Sequence, residues 1–187
     1  LDAWVQHYED DQRSVLILED ERMVASILAD YFSDSYEVHY ASTGKEAVEE
    51  YTDDIDLVII DRKLDSMSGD DVAAQIRAEH EKQLILFVSG VEPGSDLYGL
   101  KSDDYIHKPV EEDEMKTRLE LLFNRAELDP TARTYLSLRS KQIALTKAHG
   151  QAAKKMNGYQ DCTARMEELN LSSAQKQTLE PLLPTGG

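Results

Sequence analysis

The sequence is poor in cysteine, in long apolar runs and in basic residues, and each shortage excludes a class of protein. Its one cysteine, Cys162, cannot form a disulfide within the chain, which favours a reducing, cytoplasmic compartment. No apolar run approaches the roughly 20 residues that a membrane-spanning helix needs, so we expect no membrane partner. Only 20 Lys and Arg stand against 37 Asp and Glu, and the resulting net charge of −17 argues against nucleic-acid affinity for the chain as a whole.

What is present suits one domain of ordinary size and a smaller appendage. Of the 187 residues, 41% are hydrophobic, which is enough for a packed core. The negative charge lies almost wholly in residues 1–125, whereas residues 126–187 are slightly basic. We therefore divide the chain into an N-terminal extension (1–13), a main domain (14–125) and a C-terminal segment (126–187).

The main domain alternates between strand-like and helix-like segments. Short apolar or alternating runs predict strands at 14–19, 36–41, 55–60, 83–89 and 103–108. Apolar residues three and four apart predict helices at 21–32, 42–54, 69–80 and 110–128. Five repeats of this alternation indicate an α/β fold, a five-stranded parallel sheet with helices on both faces.

Functional side chains follow four of the five predicted strands. The first strand ends in Glu19 and Asp20, the third in Asp61, the fourth in Ser89 and the fifth in Lys108. Each alone is ordinary surface chemistry, but strand ends of a parallel sheet meet at one edge. Carboxylates gathered there repel one another unless a cation lies among them. Mg²⁺, which takes oxygen ligands, is the cofactor we expect.

Four segments carry a resemblance to a known family: ILEDE (17–21), VIIDRKLDSMSG (58–69), LFVSG (86–90) and DDYIHKPV (103–110). In order and spacing they resemble the receiver domain of two-component response regulators, over roughly residues 14–125. The resemblance implies a flavodoxin-like fold. It also implies a sensor histidine kinase as partner and Asp61 as the phosphoacceptor.

The resemblance also implies the roles of the surrounding residues. Mg²⁺ would be held by Glu19, Asp20, Asp61 and the main-chain carbonyl of Lys63. Ser89 and Lys108 would contact the phosphoryl oxygens, and Ser89 and Tyr105 would form the conformational switch. The chemistry agrees, because a carboxylate can attack a phosphoryl group when cations absorb the charge on its oxygens.

An enzyme is the competing interpretation of the same strand. Phosphatases of the haloacid dehalogenase class also use a strand-end aspartate, with an acid/base aspartate two residues later. Lys63 stands at that position here and cannot act as the acid, so we expect no enzyme. Of the remaining aspartates, Asp65 is expected to shape the loop or to be solvated, and Asp70 and Asp71 to complement the dipole of the following helix.

The C-terminal segment is predicted to be a helical hairpin or coiled-coil-like. Pro130 suits a first helical position, and Asn157-Gly158 predicts the end of a helix and a turn. Apolar residues recur every seven residues from Leu138 to Met166, compatible with helix pairing and hence with a homodimer. The final PTGG is expected to be a disordered tail.

LDPTARTYLSLRSKQIAL (128–145) resembles the HalX domain found behind receivers in haloarchaeal regulators, which are described as transcriptional regulators. The basic stretch 133–155 admits a solvated helix face, docking on the receiver or a partner chain, or contact with nucleic acid. It contains no helix-turn-helix signature and no zinc-ligand spacing. Two functions stay open: a phosphorylated response regulator with a helical output segment, which includes transcriptional control, and a phosphorylation-controlled protein-interaction adaptor that does not bind DNA.

Overall fold

Five short strands form one parallel sheet, as the alternation predicts. A computed structural model describes residues 12–65 and 67–184. The strands are β1 (Ser14–Leu18), β2 (Glu37–Ala41), β3 (Leu57–Ile60), β4 (Leu84–Ser89) and β5 (Asp104–His107). Their order is β2-β1-β3-β4-β5, and all four pairings are parallel. Most of the expected N-terminal extension and tail, residues 1–11 and 185–187, lies outside the described residues.

Seven α-helices surround and extend the sheet. They are α1 (Arg22–Phe32), α2 (Gly44–Glu50), α3 (Gly69–Glu79), α4 (Glu112–Arg125), α5 (Pro130–His149), α6 (Asn157–Glu168) and α7 (Ser173–Leu179). Shorter 3-10 helices occupy Ser95–Gly99, Gly150–Lys155 and Glu180–Leu182. Within the ranges that the structure describes, no helix is long and apolar enough to cross a membrane.

Alternation of side chains along each strand divides the core between the two faces of the sheet. On one face, residues such as Ile17 and Ile59 pack against α1 and α4. On the other face, the core includes Ile60 and Phe87 together with residues of α2 and α3. Only the one-turn Ser95–Gly99 helix lies between β4 and β5, and it leaves part of this second face to be covered from elsewhere.

The C-terminal segment supplies that cover. Ala144 and Leu145 of α5 and Ala153 of the next 3-10 helix belong to the same buried cluster as Phe87 and Tyr105. Part of the apolar surface that suggested pairing between chains is therefore buried within this chain. The receiver-like part and the C-terminal helices share a core, and the boundary at residue 126 does not separate two independent packing units.

The ends of the C-terminal helices correct one prediction. α5 begins as predicted, with Pro130 in its first turn and Asp129 Oδ1 accepting hydrogen bonds from two backbone amides. It ends at His149, and the C-cap residue that follows is Gly150, whose φ of +56° suits glycine. The prediction of a turn at Asn157-Gly158 is wrong, because these residues begin α6.

Glycine is needed at position 158 for packing and not to form a turn. A Cβ atom at this position would lie 2.3 Å from the carbonyl oxygen of Ser95, and the other nearest atoms also belong to the Ser95 backbone. The absence of a side chain thus allows α6 to pack directly on the Ser95–Gly99 helix. The hairpin itself is held by a third apolar cluster, which includes Leu136, Cys162 and Leu179.

Candidate functional site

Asp61 lies at the carboxyl end of β3, where its backbone amide still donates to the carbonyl of Leu18. Its side chain is nearly buried, with 9% of the residue exposed. Oδ1 accepts hydrogen bonds from Ser89 Oγ at 2.6 Å and from the Lys63 amide at 3.0 Å. Oδ2 accepts from Lys108 Nζ at 2.7 Å. Three of the side chains predicted from separate strand ends are therefore in direct contact.

Lys108 joins Asp61 to a second carboxylate. Its Nζ donates to Glu19 Oε2 at 2.5 Å, and its backbone amide donates to the carbonyl of Ser89. Burial alone would lower the pKa of Lys108, but its hydrogen bonds to Asp61 and Glu19 outweigh burial and raise it. Glu19 is only 1% exposed, and burial raises its pKa although Lys108 works in the other direction. Lys108 thus places a half-buried positive charge beside the phosphoacceptor candidate.

Asp20 lies at the rim of this cluster. It is half-buried, and its Oδ2 accepts a hydrogen bond from the backbone amide of Asp65 at 3.0 Å. Asp65 therefore takes part in the site through its main chain. Lys63, predicted to act through its carbonyl, contacts Asp61 through its amide.

The residues present fit Mg²⁺ by their donor chemistry, since carboxylates and a main-chain carbonyl are hard oxygen ligands. Their side chains are not arranged as a formed metal centre: across residues 12–65 and 67–184, no three acidic, histidine or cysteine side chains are grouped as ligands. The Lys108 ammonium instead lies between Glu19 and Asp61. Glu19, Asp20 and Asp61 are the side chains that would hold the ion.

The two predicted switch residues lie next to one another in the fold. Ser89 is fully buried and donates to Asp61, while the backbone amide of Val91 donates to Ser89 Oγ at 3.3 Å. Tyr105 is 2% exposed, and its hydroxyl donates to the carbonyl of Val91. Burial raises the pKa of Tyr105. Both side chains are thus linked to the segment that follows β4.

Arg62 is a site residue that the sequence reasoning missed. Its guanidinium donates to both carboxylate oxygens of Asp70, at 2.9 and 2.8 Å, and to Asp96 Oδ2 at 2.5 Å. Asp70, predicted as a helix-start charge, lies in the first turn of α3 and is also half of a bidentate ion pair. The only sequence signal was the position of Arg62 directly after Asp61. Through Asp96, this arginine connects the strand end to the Ser95–Gly99 helix.

The comparison with protein families agrees with this geometry. The family described as "Response regulator receiver domain" matches residues 15–120, more than half of the chain. The chain belongs to the response regulator receiver family. We use "receiver" below for residues 14–125.

Relatives extend the likeness beyond the receiver. A protein of Haloferax volcanii, whose name marks it as a provisionally assigned transcriptional regulator, is 29% identical over 158 residues, which are 83% of this chain and 27% of that protein. The transcriptional regulatory protein SrrA of Staphylococcus aureus is 29% identical over 139 residues, which are 69% of this chain and 58% of SrrA. The chain thus spans 27% and 58% of the length of these two relatives, in both cases less than two thirds.

Two solved structures match about three fifths of the chain. The response regulator TrrA of Thermotoga maritima, crystallised in complex with Mg²⁺-BeF, has a TM-score of 0.55 and 28% identity, covering 59% of this chain and 99% of that one. The non-phosphorylated HemR receiver domain of Leptospira biflexa has a TM-score of 0.57 and 26% identity, covering 63% and 97%. Each match covers nearly all of the other chain and leaves more than a third of this one unmatched.

Proposed function

We propose that a sensor histidine kinase phosphorylates Asp61 and that the receiver signals through its C-terminal helices, α5 to α7. The observation that carries this proposal is the convergence of Ser89 and Lys108 on the two carboxylate oxygens of Asp61, at 2.6 and 2.7 Å. These are a hydroxyl and an ammonium group, the donors that a phosphoryl group needs. The Mg²⁺-bound TrrA structure supports the same chemistry in a related protein.

In this reaction an oxygen of Asp61 attacks the phosphorus atom and the imidazole of the kinase leaves. Bound Mg²⁺ would neutralise charge on the phosphoryl oxygens. Lys108 supplies a second positive charge on the opposite side of Asp61 from Ser89, and Ser89 must exchange its hydrogen bond with Asp61 for one to the phosphoryl group. We propose no other catalytic activity, because Lys63 occupies the place where a hydrolase would need an acid.

The C-terminal helices contact the segment that the switch residues hold. Lys141 Nζ donates to the carbonyl of Leu100 at 2.7 Å, and His149 Nε2 lies 2.6 Å from the carbonyl of Pro93. Gly158 packs on Ser95, and the neighbouring Asp96 pairs with Arg62. A change at Asp61 that moves Ser89 or Arg62 would therefore act on a segment packed against α5 and α6. This packing supports an intramolecular output route.

The phosphoacceptor assignment is tested by intact-mass measurement after incubation with a small-molecule phosphodonor and Mg²⁺. The wild-type chain should gain one phosphoryl group and Asp61→Asn should gain none. Asp65→Asn is the matched control, since it removes a carboxylate of the same loop whose contact to Asp20 is made by the main chain. Full labelling of Asp61→Asn would contradict the assignment.

The target of the output has two candidates. Relatives named as transcriptional regulators favour control of transcription by a HalX-like segment. The adaptor function is favoured by the use of basic side chains within the chain itself: Arg133 contacts Lys82 and Asp103, and Lys147 pairs with Glu114. Crosslinking and sequencing of bound DNA in cells separates the two. Discrete sites lost in Asp61→Asn support the regulator, and no enrichment supports the adaptor.

A further inference from the structure

A cavity of about 600 Å³ lies where the receiver meets the C-terminal helices. Both parts of the chain line it, the receiver on one side and α5 and α6 on the other. Six of the lining residues are basic: Arg77, Lys82, Lys101, Arg133, Lys141 and Arg165. A volume of this size is typical of small-molecule sites.

The charge of this cavity is opposite to that of the chain. Asp103, one of only three acidic lining residues, is already paired with Arg77 at 2.8 Å and with Arg133 at 3.4 Å. Lys82 and Lys101 are exposed and form no ion pair with any residue that the structure describes. Lys141 is bonded to main-chain carbonyls and not to a carboxylate. Arg165 is paired with Glu168, so three of the six cavity cations have no carboxylate partner among the described residues: Lys82, Lys101 and Lys141.

Two residues that line the cavity also carry buried hydrogen-bonding atoms without partners. Arg77 Nε and Ser102 Oγ are buried without any hydrogen-bond partner, and both residues line the cavity. Buried polar groups are normally paired, and leaving one unpaired costs on the order of 1–3 kcal/mol. Both atoms lie beneath the cavity surface, so a ligand in the cavity would contact the exposed lysines and not these two groups.

We propose that this cavity binds a small molecule carrying a diphosphate or a comparable multiply charged phosphate group. Phosphate fits because its oxygens accept from planar guanidinium groups and from lysine ammonium groups at once. Because the walls come from both parts of the chain, the bound anion holds α5 against the loop that precedes β5. Binding of the anion would stabilise this contact, and any conformational change that loosens the contact would weaken binding of the anion. The inference does not depend on phosphorylation of Asp61.

Inorganic pyrophosphate is the probe, titrated calorimetrically into the full chain at constant ionic strength. The variant Lys82→Gln/Lys101→Gln removes two exposed cavity cations and should weaken binding about tenfold. The matched control, Lys154→Gln/Lys155→Gln, removes two exposed lysines of the Gly150–Lys155 helix, outside the cavity, and should leave affinity unchanged. Absence of saturable binding, or equal weakening in both double variants, would overturn the proposal.

Pyrophosphate also resembles the group that Asp61 is proposed to carry, so the two sites must be told apart. Asp61→Asn should bind pyrophosphate with wild-type affinity if the cavity is the site. A change in affinity in Asp61→Asn, with no effect of Lys82→Gln/Lys101→Gln, would place the probe at the phosphoacceptor edge and overturn the cavity proposal. Neither outcome bears on whether Asp61 accepts phosphate.

Discussion

At the scale of single residues, Lys141 shows how a charged side chain is used to join the two parts of the chain. It is 4% exposed and reaches the carbonyl of Leu100, at the end of the Ser95–Gly99 helix. Burial lowers its pKa from 10.5 to about 8. Burial also disfavours the charged form of the nearby Cys162 thiol, and it raises the pKa of that group to about 11. Lys141 therefore provides the hydrogen bond that the buried carbonyl of Leu100 needs, but burying its ammonium group costs desolvation free energy.

This cost has a defined pH dependence. Between about pH 8 and pH 10.5 the unfolded chain still binds the Lys141 proton while the folded chain has released it, so the free energy of unfolding rises with pH. The wild type should gain about 3 kcal/mol relative to Lys141→Met across this interval. Urea unfolding of both proteins at a series of pH values measures the difference. Cys162 changes stability in the opposite direction, and its electrostatic interaction with Lys141 is lost in the variant.

Parallel stability curves for the wild type and Lys141→Met would contradict this interpretation. The absolute stabilities are not the test, because the methionine also leaves the carbonyl of Leu100 without its donor. The test is the difference between the slopes of the two stability curves, which reports the Lys141 proton together with its interaction with Cys162.

At the scale of elements, the contact between α6 and the Ser95–Gly99 helix is made by glycine. The backbone of Ser95 lies where a side chain at position 158 would be. The Ser95–Gly99 helix is too short to cover the sheet by itself, and its packing against α6 compensates for its length. The two elements are about 60 residues apart in the sequence. Their contact therefore holds the C-terminal helices against the receiver at this point.

Gly158→Ala should destabilise the fold by about 1–3 kcal/mol, because the new Cβ meets backbone atoms that cannot rotate away. Helix propensity acts in the opposite direction by at most about 1 kcal/mol. Gly99→Ala is the matched control, since a Cβ there meets nothing within 4 Å. Thermal and urea unfolding compare the two. Equal stabilities of the two variants would show that the contact is not tight.

The sequence predicted features that depend on local pattern and missed those that depend on distant contacts. Strand ends place Asp61, Ser89 and Lys108 together because parallel strands share an edge, and the periodicity of the strands is visible in the sequence. The contacts of Arg62 with Asp96 and of Lys141 with Leu100 could not be assigned, since these partners lie 34 and 41 residues away. Asn157-Gly158 has the local signature of a turn, and only the position of Ser95 explains the glycine.

At the scale of the whole molecule, the receiver and its C-terminal helices form one structure with a shared core. Phe87 and Tyr105 of the sheet are in one buried cluster with Leu145 and Ala153 of the tail. Arg125, 1% exposed, donates to the main-chain carbonyls of Asp103 and Leu182, which come from the two parts. A conformational change in the receiver therefore cannot occur at this face without altering the packing of the tail.

Hydrogen–deuterium exchange with and without a small-molecule phosphodonor and Mg²⁺ tests this central claim most directly. Phosphorylation of the wild type should change exchange in residues 91–103 and in α6, while Asp61→Asn should show no change in either. The expected reason is that Ser89, Tyr105 and Arg62 all bond to the segment on which α6 packs. Changes confined to the loops around Asp61 and Lys108, with α6 unaltered, would contradict the proposed route of output.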